Sequence, residues 1–185
     1  RGGRPSFERL APGAAAAVVL LTALLAPVVP VLPPSFVKFG RELLVYRETV
    51  EGTLSVARDR GGPDATKYTF VNNSAVIGSS YDAVKVVKMV GHLPSLAGLQ
   101  ATDVLVVGFG IGVTTSAIAA QPGVKNIDCV ELVTGLRDAA AHYRDLNRDV
   151  ARDPRLRLIA GDGRHHLQRS GRRYDLISCD PTHPI

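Results

Sequence analysis

Cysteine and aromatic side chains are scarce in this chain: two cysteines, and aromatics at 5% of 185 residues. Two thiols cannot build a disulfide framework. Cys129 and Cys179 both fall in apolar, strand-like runs, where reduced core residues are expected. No stripe of basic residues interleaved with aromatics occurs, so the net charge of +5 reads as an arginine-rich surface, and no nucleic-acid partner is expected. No metal-ligand constellation is present either. His165 and His166 are adjacent, so on a helix they diverge and read as surface residues. His142 and Tyr143 lie among arginines and read as a solvated helix face.

Charge is absent altogether from Leu10 to Val37. Within that run Ala14 to Ala26 is good helix material, and Pro27, Pro30, Pro33 and Pro34 then stop any helix. A membrane crossing takes roughly 20 apolar residues, a length this run only just reaches. Three readings stay open: the last span of a longer membrane protein, a signal-peptide core, or a buried helix. Arginines and lysines flank it on both sides, so they set no orientation. The segment 1–37 is therefore expected to be membrane- or signal-like. It would tie the protein to the cell membrane, with the rest in the cytoplasm. Arg1 at one end and Ile185, just past a strand end, suggest a fragment or processed chain.

Beyond the prolines the pattern changes to strands. Thr49 to Arg58 and Lys67 to Ile77 carry strand-type residues, separated by the turn chemistry of residues 59–64, and Asn72-Asn73 marks a second tight turn. A helix is expected from Asp82 to Leu93, ending near Pro94. Residues 38–98 thus read as a small antiparallel β subdomain with a lead-in helix. From residue 99 strands and helices alternate: Asp103–Val107, Thr114–Gln121, Asn126–Leu132, Gly135–Leu146, Leu156–Ala160, His165–Gln168 and Tyr174–Cys179. Apolar strands joined by helical crossovers imply an α/β fold with a parallel sheet covered on both faces.

The first of those strands runs straight into Gly108, Gly110 and Gly112. A glycine turn between strand and helix bares backbone N–H groups and lets a ligand approach closely. Val113 stands where a dinucleotide fingerprint needs its third glycine, which argues against a pyrophosphate cofactor. The other strands end on acids. Glu131 ends the second, where a carboxylate can hold ribose hydroxyls. Gly161-Asp162-Gly163 ends the third, where an acid can accept from an adenine amino group, and Asp180 ends the fourth. Either Glu131 or Asp162 alone could instead cap the helix that follows it. Together with the glycines they describe a pocket for an adenosyl-sulfonium compound, with Gly108, Gly110, Gly112, Glu131, Asp162 and Gly163 as its residues.

With these motifs the chain resembles the spermidine synthase (polyamine aminopropyltransferase) family. The likeness rests on residues 92–94 (His-Leu-Pro), 104–112, 130–131, 153–156, 161–163 and the final run 174–184. Its layout after a hydrophobic segment is similar to the membrane-fused members. The resemblance implies a β-hairpin subdomain leaning on a methyltransferase-like Rossmann sheet, here incomplete at its C-terminus, and a homodimer as one possible assembly. It also implies attack of an amine substrate on decarboxylated S-adenosylmethionine. Asp180 would be the catalytic base and amine ligand, Glu131 the ribose ligand and Asp162 the adenine ligand.

The departures fall on one side. Ile111 stands where the family carries an aspartate for the aminopropyl ammonium, and His183 where a second acid follows the base. Ile77 and Val86 replace a glutamine and a tyrosine. The nucleoside half is present and the diamine half largely absent. Two other functions stay open: a small-molecule methyltransferase using intact S-adenosylmethionine, and a non-catalytic nucleoside-binding domain of a membrane protein.

Overall fold

The computed structural model describes residues 40–179, together with 18–22 and 24. The chain divides into two compact units, Arg1–Val31 and Leu32–Ile185. Of the first, the described residues are helical and exposed. The membrane- or signal-like segment therefore lies mostly outside the described residues. Among those described, no helix is long and apolar enough to cross a membrane.

The second unit begins with an antiparallel meander, β1 (Glu42–Thr49), β2 (Gly52–Arg58), β3 (Lys67–Val71) and β4 (Ser74–Gly78), in that spatial order. Thr49 closes β1 and does not open β2, because Val50 and Glu51 form the hairpin turn before Gly52 at φ 127°. Asn72 and Asn73 sit at φ 48° and 65°, the paired left-handed conformations that a two-residue hairpin turn requires. Leu54 and Val56 turn one face of this sheet toward the rest of the unit, while Ala57 and Phe70 form a separate cluster on the other face.

Helix α1 (Tyr81–Leu96) does not stop before Pro94. Proline there lacks only the N–H that would reach back four residues, and Ala97 N–H closes the last turn onto the Leu93 carbonyl at 2.9 Å. At Gly91 a Cβ would fall 2.6 Å from the Ala117 Cβ, so glycine lets α1 lie directly on α2 (Val113–Ala119).

The parallel sheet holds β5 (Asp103–Val107), β6 (Asn126–Glu131), β7 (Leu156–Ala160) and β8 (Leu176–Cys179) in the order β7-β6-β5-β8. β5 is flanked on both sides, and its Val104, Leu105 and Val106 are fully buried. The chain steps from β5 outward to β7 and then returns to the far side of β5, so the strand order reverses there. An open parallel sheet receives ligands beyond the strand ends at such a reversal.

The expected helix Gly135–Leu146 is three short pieces: α3 (Leu136–Ala139), a 3-10 turn (Ala140–Tyr143) and α4 (Arg144–Asn147). The break drives Tyr143 inward, correcting its reading as solvated. It is fully buried, and its hydroxyl lies 2.8 Å from Thr69 Oγ1, tying this segment to the antiparallel sheet. α5 (Gly163–Ser170) is a turn longer than expected and covers the opposite face of the parallel sheet.

Beneath α5 lies a carboxylate with no apolar alternative. Asp128 has a side-chain exposure of 5%, accepts two bonds from Arg157 at 2.9 and 2.8 Å, and one each from Arg172 (2.6 Å) and the Tyr174 hydroxyl (2.7 Å). His166, expected at the surface, lies 2.9 Å from that same hydroxyl. The cysteines also part company: Cys129 is buried and its thiol is pushed up to about 12 by burial, whereas Cys179 is exposed at the sheet edge. Burial alone would raise the Asp128 carboxyl. Hydrogen bonds from Arg157 and Tyr174, with the charges of Arg157 and Arg172, hold it below its ordinary 3.8. Its stabilisation is accordingly complete above the ordinary carboxylate range and is lost as pH falls through the lowered value. Asp128→Asn leaves two partly exposed arginines facing a neutral amide and should cost about 1–2 kcal/mol at neutral pH. Urea unfolding at pH 7 and pH 3 should show that loss shrinking on acidification.

Candidate functional site

The strand-to-helix turn after β5 has Gly108, Gly110 and Gly112 all in the left-handed region, at φ 91°, 55° and 80°. Gly112 is doubly constrained, since a Cβ there would lie 2.9 Å from the Phe109 ring. At Gly110 only the Ile77 Cδ1 comes as near as 4.0 Å, so its backbone faces open space.

One side chain holds this turn. Glu131, at the end of β6, accepts from Phe109 N–H at 2.7 Å and Gly110 N–H at 3.2 Å through Oε2, and from Val133 N–H at 2.8 Å through Oε1. A carboxylate offers about four lone-pair sites, so three bonds leave Oε1 room for one further donor. Holding two ribose hydroxyls at once would require the turn to release an N–H. Glu131 does not cap the helix after it.

Asp162 does cap: its Oδ1 accepts from His165 N–H at 2.8 Å at the start of α5. It stays beside Glu131, because Gly161 N–H donates to the Glu131 carbonyl at 3.0 Å. Gly161 is at φ 145°, and a Cβ added there would meet nothing within 4 Å, which leaves open space next to the acid. Gly163, expected among the cofactor-binding residues, is buried at the start of α5. A Cβ there would strike Val107 Cγ1 at 2.5 Å, so glycine serves to seat α5 on the sheet. Asp175 marks the opposite edge of the sheet, accepting from the N–H groups of Thr102 (2.8 Å) and Asp103 (2.9 Å). Asp180 and residues 181–185 lie outside the described residues.

Two cavities flank the turn, and Phe109 belongs to both linings. One, of about 410 Å³, has Glu131, Ile159 and Ala160 along its floor and is rimmed by Arg47 and Asp138. Those two form an ion pair between the antiparallel sheet and α3. Nothing in the sequence pattern singles them out, because each is an exposed charge on an ordinary surface element. The other cavity, of about 610 Å³, opens between β4, α1 and the turn. Ile111, in the turn itself, is fully buried in the cluster that packs the antiparallel sheet against the turn and its neighbouring helices. Buried Asn147 secures that position, donating to the Ile111 carbonyl at 2.7 Å and to the Ala140 carbonyl at 2.9 Å. A lone asparagine on an amphipathic helix carries no sequence signal for such a role. Among the described residues no three His, Cys, Asp or Glu side chains gather in a metal-holding group.

Residues 83–185 match the spermine/spermidine synthase domain. The chain belongs to that family. Polyamine aminopropyltransferases are among its relatives: that of Serratia proteamaculans is 32% identical over 99 residues, covering 53% of this chain and 34% of its own. That of Hamiltonella defensa is 34% identical over 99 residues, with the same shares. The matched stretch thus spans about a third of the length of these curated relatives. Among solved structures, spermidine synthase from Thermotoga maritima superposes with a TM-score of 0.66 at 18% identity, over 77% of this chain and 48% of that one. A spermidine synthase in complex with the transition-state analogue AdoDATO gives 0.65 at 17% identity, over 75% and 47%. The fold is that of spermidine synthase, an antiparallel sheet beside a methyltransferase-like parallel one.

The Glu131 bonds make a testable claim about the turn. Glu131→Gln must present an amide NH₂ to either Oε2's two donors or Oε1's one, so about 2 kcal/mol of stability should be lost. Denaturant unfolding of the variant beside Glu131→Asp, which keeps the charge but is too short to span both sides, would measure it. Unchanged stability in both would show that the carboxylate does not brace the turn.

Proposed function

We propose that this chain is an aminopropyltransferase-like transferase. Adenosine of decarboxylated S-adenosylmethionine occupies the Glu131 cavity, and an amine acceptor occupies the cleft on the other side of the glycine turn. One observation carries the reading: a single carboxylate, Glu131, grips the glycine turn while its strand is bonded to the residue preceding Asp162. Family membership and the structural likeness to a spermidine synthase bound to AdoDATO support it.

The residues fit such a ligand. Glu131 Oε1 retains acceptor capacity for a sugar hydroxyl, Asp162 retains a second oxygen beyond its helix cap, and Gly161 leaves open space beside Asp162. In the reaction the amine lone pair forms the N–C bond. The C–S electron pair returns to sulfur, releasing neutral methylthioadenosine, and the surplus proton passes from nitrogen to a carboxylate. Asp180, the residue that follows Cys179 in the sequence, is the proposed acceptor of that proton. Fixing both reactants on either side of one rigid turn supplies the proximity term, which in favourable cases is worth about 7–11 kcal/mol.

Any association with the membrane through segment 1–37, a cytoplasmic placement of the site, and assembly with a second copy belong to this proposal. The domain limits at residues 37 and 98 do too. Calorimetric titration with methylthioadenosine tests the nucleoside half, with binding expected for the unaltered protein and lost in Glu131→Ala. Asp180→Asn should keep that binding while amine-dependent turnover falls about a hundredfold or more. No binding of methylthioadenosine or of the decarboxylated donor would end the assignment. Binding with full retention of turnover in Asp180→Asn would remove that residue from the chemistry.

A further inference from the structure

Between Asp162 and Asp175 the chain carries Arg164, His165, His166, Arg169, Arg172 and Arg173, with no acid among them. The fold gathers these cations on the side of the parallel sheet that α5 covers. On α5, Gly163 is buried and His166 half-buried, while Arg164, His165, Gln168 and Arg169 are exposed. Gly171, at φ 62°, ends the helix, and exposed Arg172 and Arg173 follow it. Arg157 joins them from β7. It and Arg172 share the buried Asp128 carboxylate, which holds two guanidinium groups together and leaves one positive charge over. Among the described residues, the side chains of Arg164, Arg169 and Arg173 make no hydrogen bond or ion pair.

We propose that this face docks on an anionic lipid surface, its arginines taking the headgroup phosphates. A guanidinium meets a phosphate through two parallel N–H donors, a geometry that lysine lacks. From residue 157 to 173 every basic side chain other than histidine is arginine. Two features favour a membrane over a nucleic acid. Leu167 stands 37% exposed among the arginines, an apolar contact for the headgroup boundary. The ring of the patch, Tyr174, is half-buried with its hydroxyl on Asp128, so it offers bases no platform to stack on. The uncharged run from Leu10 to Val37 supplies a second, different attraction to lipid. The two are separable, because an apolar run needs no lipid charge, whereas the arginine face needs it and is screened by salt. This docking does not depend on the nucleoside site proposed above.

The test is co-sedimentation of the full chain with vesicles of pure phosphatidylcholine and with vesicles containing about one-third phosphatidylserine. The readout is the ratio of the two partition coefficients, in which any contribution of the apolar run cancels. An arginine beside an anionic surface is worth about fivefold in binding, so Arg164→Gln, Arg169→Gln and Arg173→Gln together should lower that ratio about a hundredfold. These substitutions are at exposed positions, and an unchanged melting temperature checks that the fold is kept. Raising the salt from about 0.05 M to about 0.5 M should erase most of the preference for anionic lipid. Lys85→Gln with Lys88→Gln removes exposed charge from α1 instead, and should lower the ratio by less than about threefold. A ratio near one for the unaltered chain overturns the proposal, as does a ratio that survives loss of the three arginines. An equal fall in the lysine variant reduces the effect to net charge and overturns it too. Arginine-dependent binding of homopolymeric RNA, with vesicles ignored, would make the face a nucleic-acid contact and end the lipid assignment.

Discussion

The site depends on a carboxylate bonded to backbone. Glycines at 108, 110 and 112 give the turn its left-handed path, but glycine is also the residue with most freedom to lose. Without a brace the turn would sample many shapes. Glu131 fixes it from the neighbouring strand with three charge-assisted bonds, joining the ends of β5 and β6 at the edge where ligands of parallel sheets collect. The same carboxylate that is proposed to meet a sugar thus shapes the floor on which that sugar would lie. Binding and preorganisation then share one side chain, which is why its loss is expected to register in both.

A second constraint holds the antiparallel sheet against the glycine turn and the helices around it. Leu54, Val56 and Val71 of that sheet meet Ile111 of the turn, Val113 of α2 and Leu136 of α3 in one buried cluster. Into this apolar seam the chain inserts a few satisfied polar groups: the Tyr143 hydroxyl on Thr69, and the Asn147 amide on the Ile111 carbonyl. Buried polar groups stabilise little on net but are costly if left unpaired, so these fix register more than they add strength. The acceptor cleft opens along this seam, and its dimensions follow from how closely β4 and α1 approach the turn.

Much of this layout is legible from residues alone, and the gaps have physical causes. Strands β5 and β6 announce themselves because a strand buried on both faces is a short apolar run with turn residues at its ends, and the half-exposed edge strand β7 is marked by its run Leu156–Ala160 before Gly161. Asn72-Asn73 is readable because two consecutive left-handed residues favour a small set of side chains. Pro94 misleads because proline in a last helical turn removes one bond without ending the helix. Gly163 has a packing reason of its own, against Val107, that the sequence pattern does not show. The acids at 131 and 162 stand out as a pair by their position at strand ends, yet the bonds that Glu131 makes to the turn join residues 21 and 22 apart in the chain. Tyr143, Asn147, Arg47 and Asp138 are invisible as site or seam residues, since only the tertiary fold gives them partners.

The burial of Ile111 bears on how the chemistry of this site can change over time. A carboxylate placed at this position would enter the space shared by Leu54, Val56, Val113 and Tyr143, where solvent does not reach. An isolated charge in such surroundings costs several kcal/mol, comparable with the whole stability of a domain this size. With isoleucine the turn contributes an apolar strut to the core at the border of the cleft, so an acid at this position is tolerable only where it turns into the cleft and meets water or a cation there.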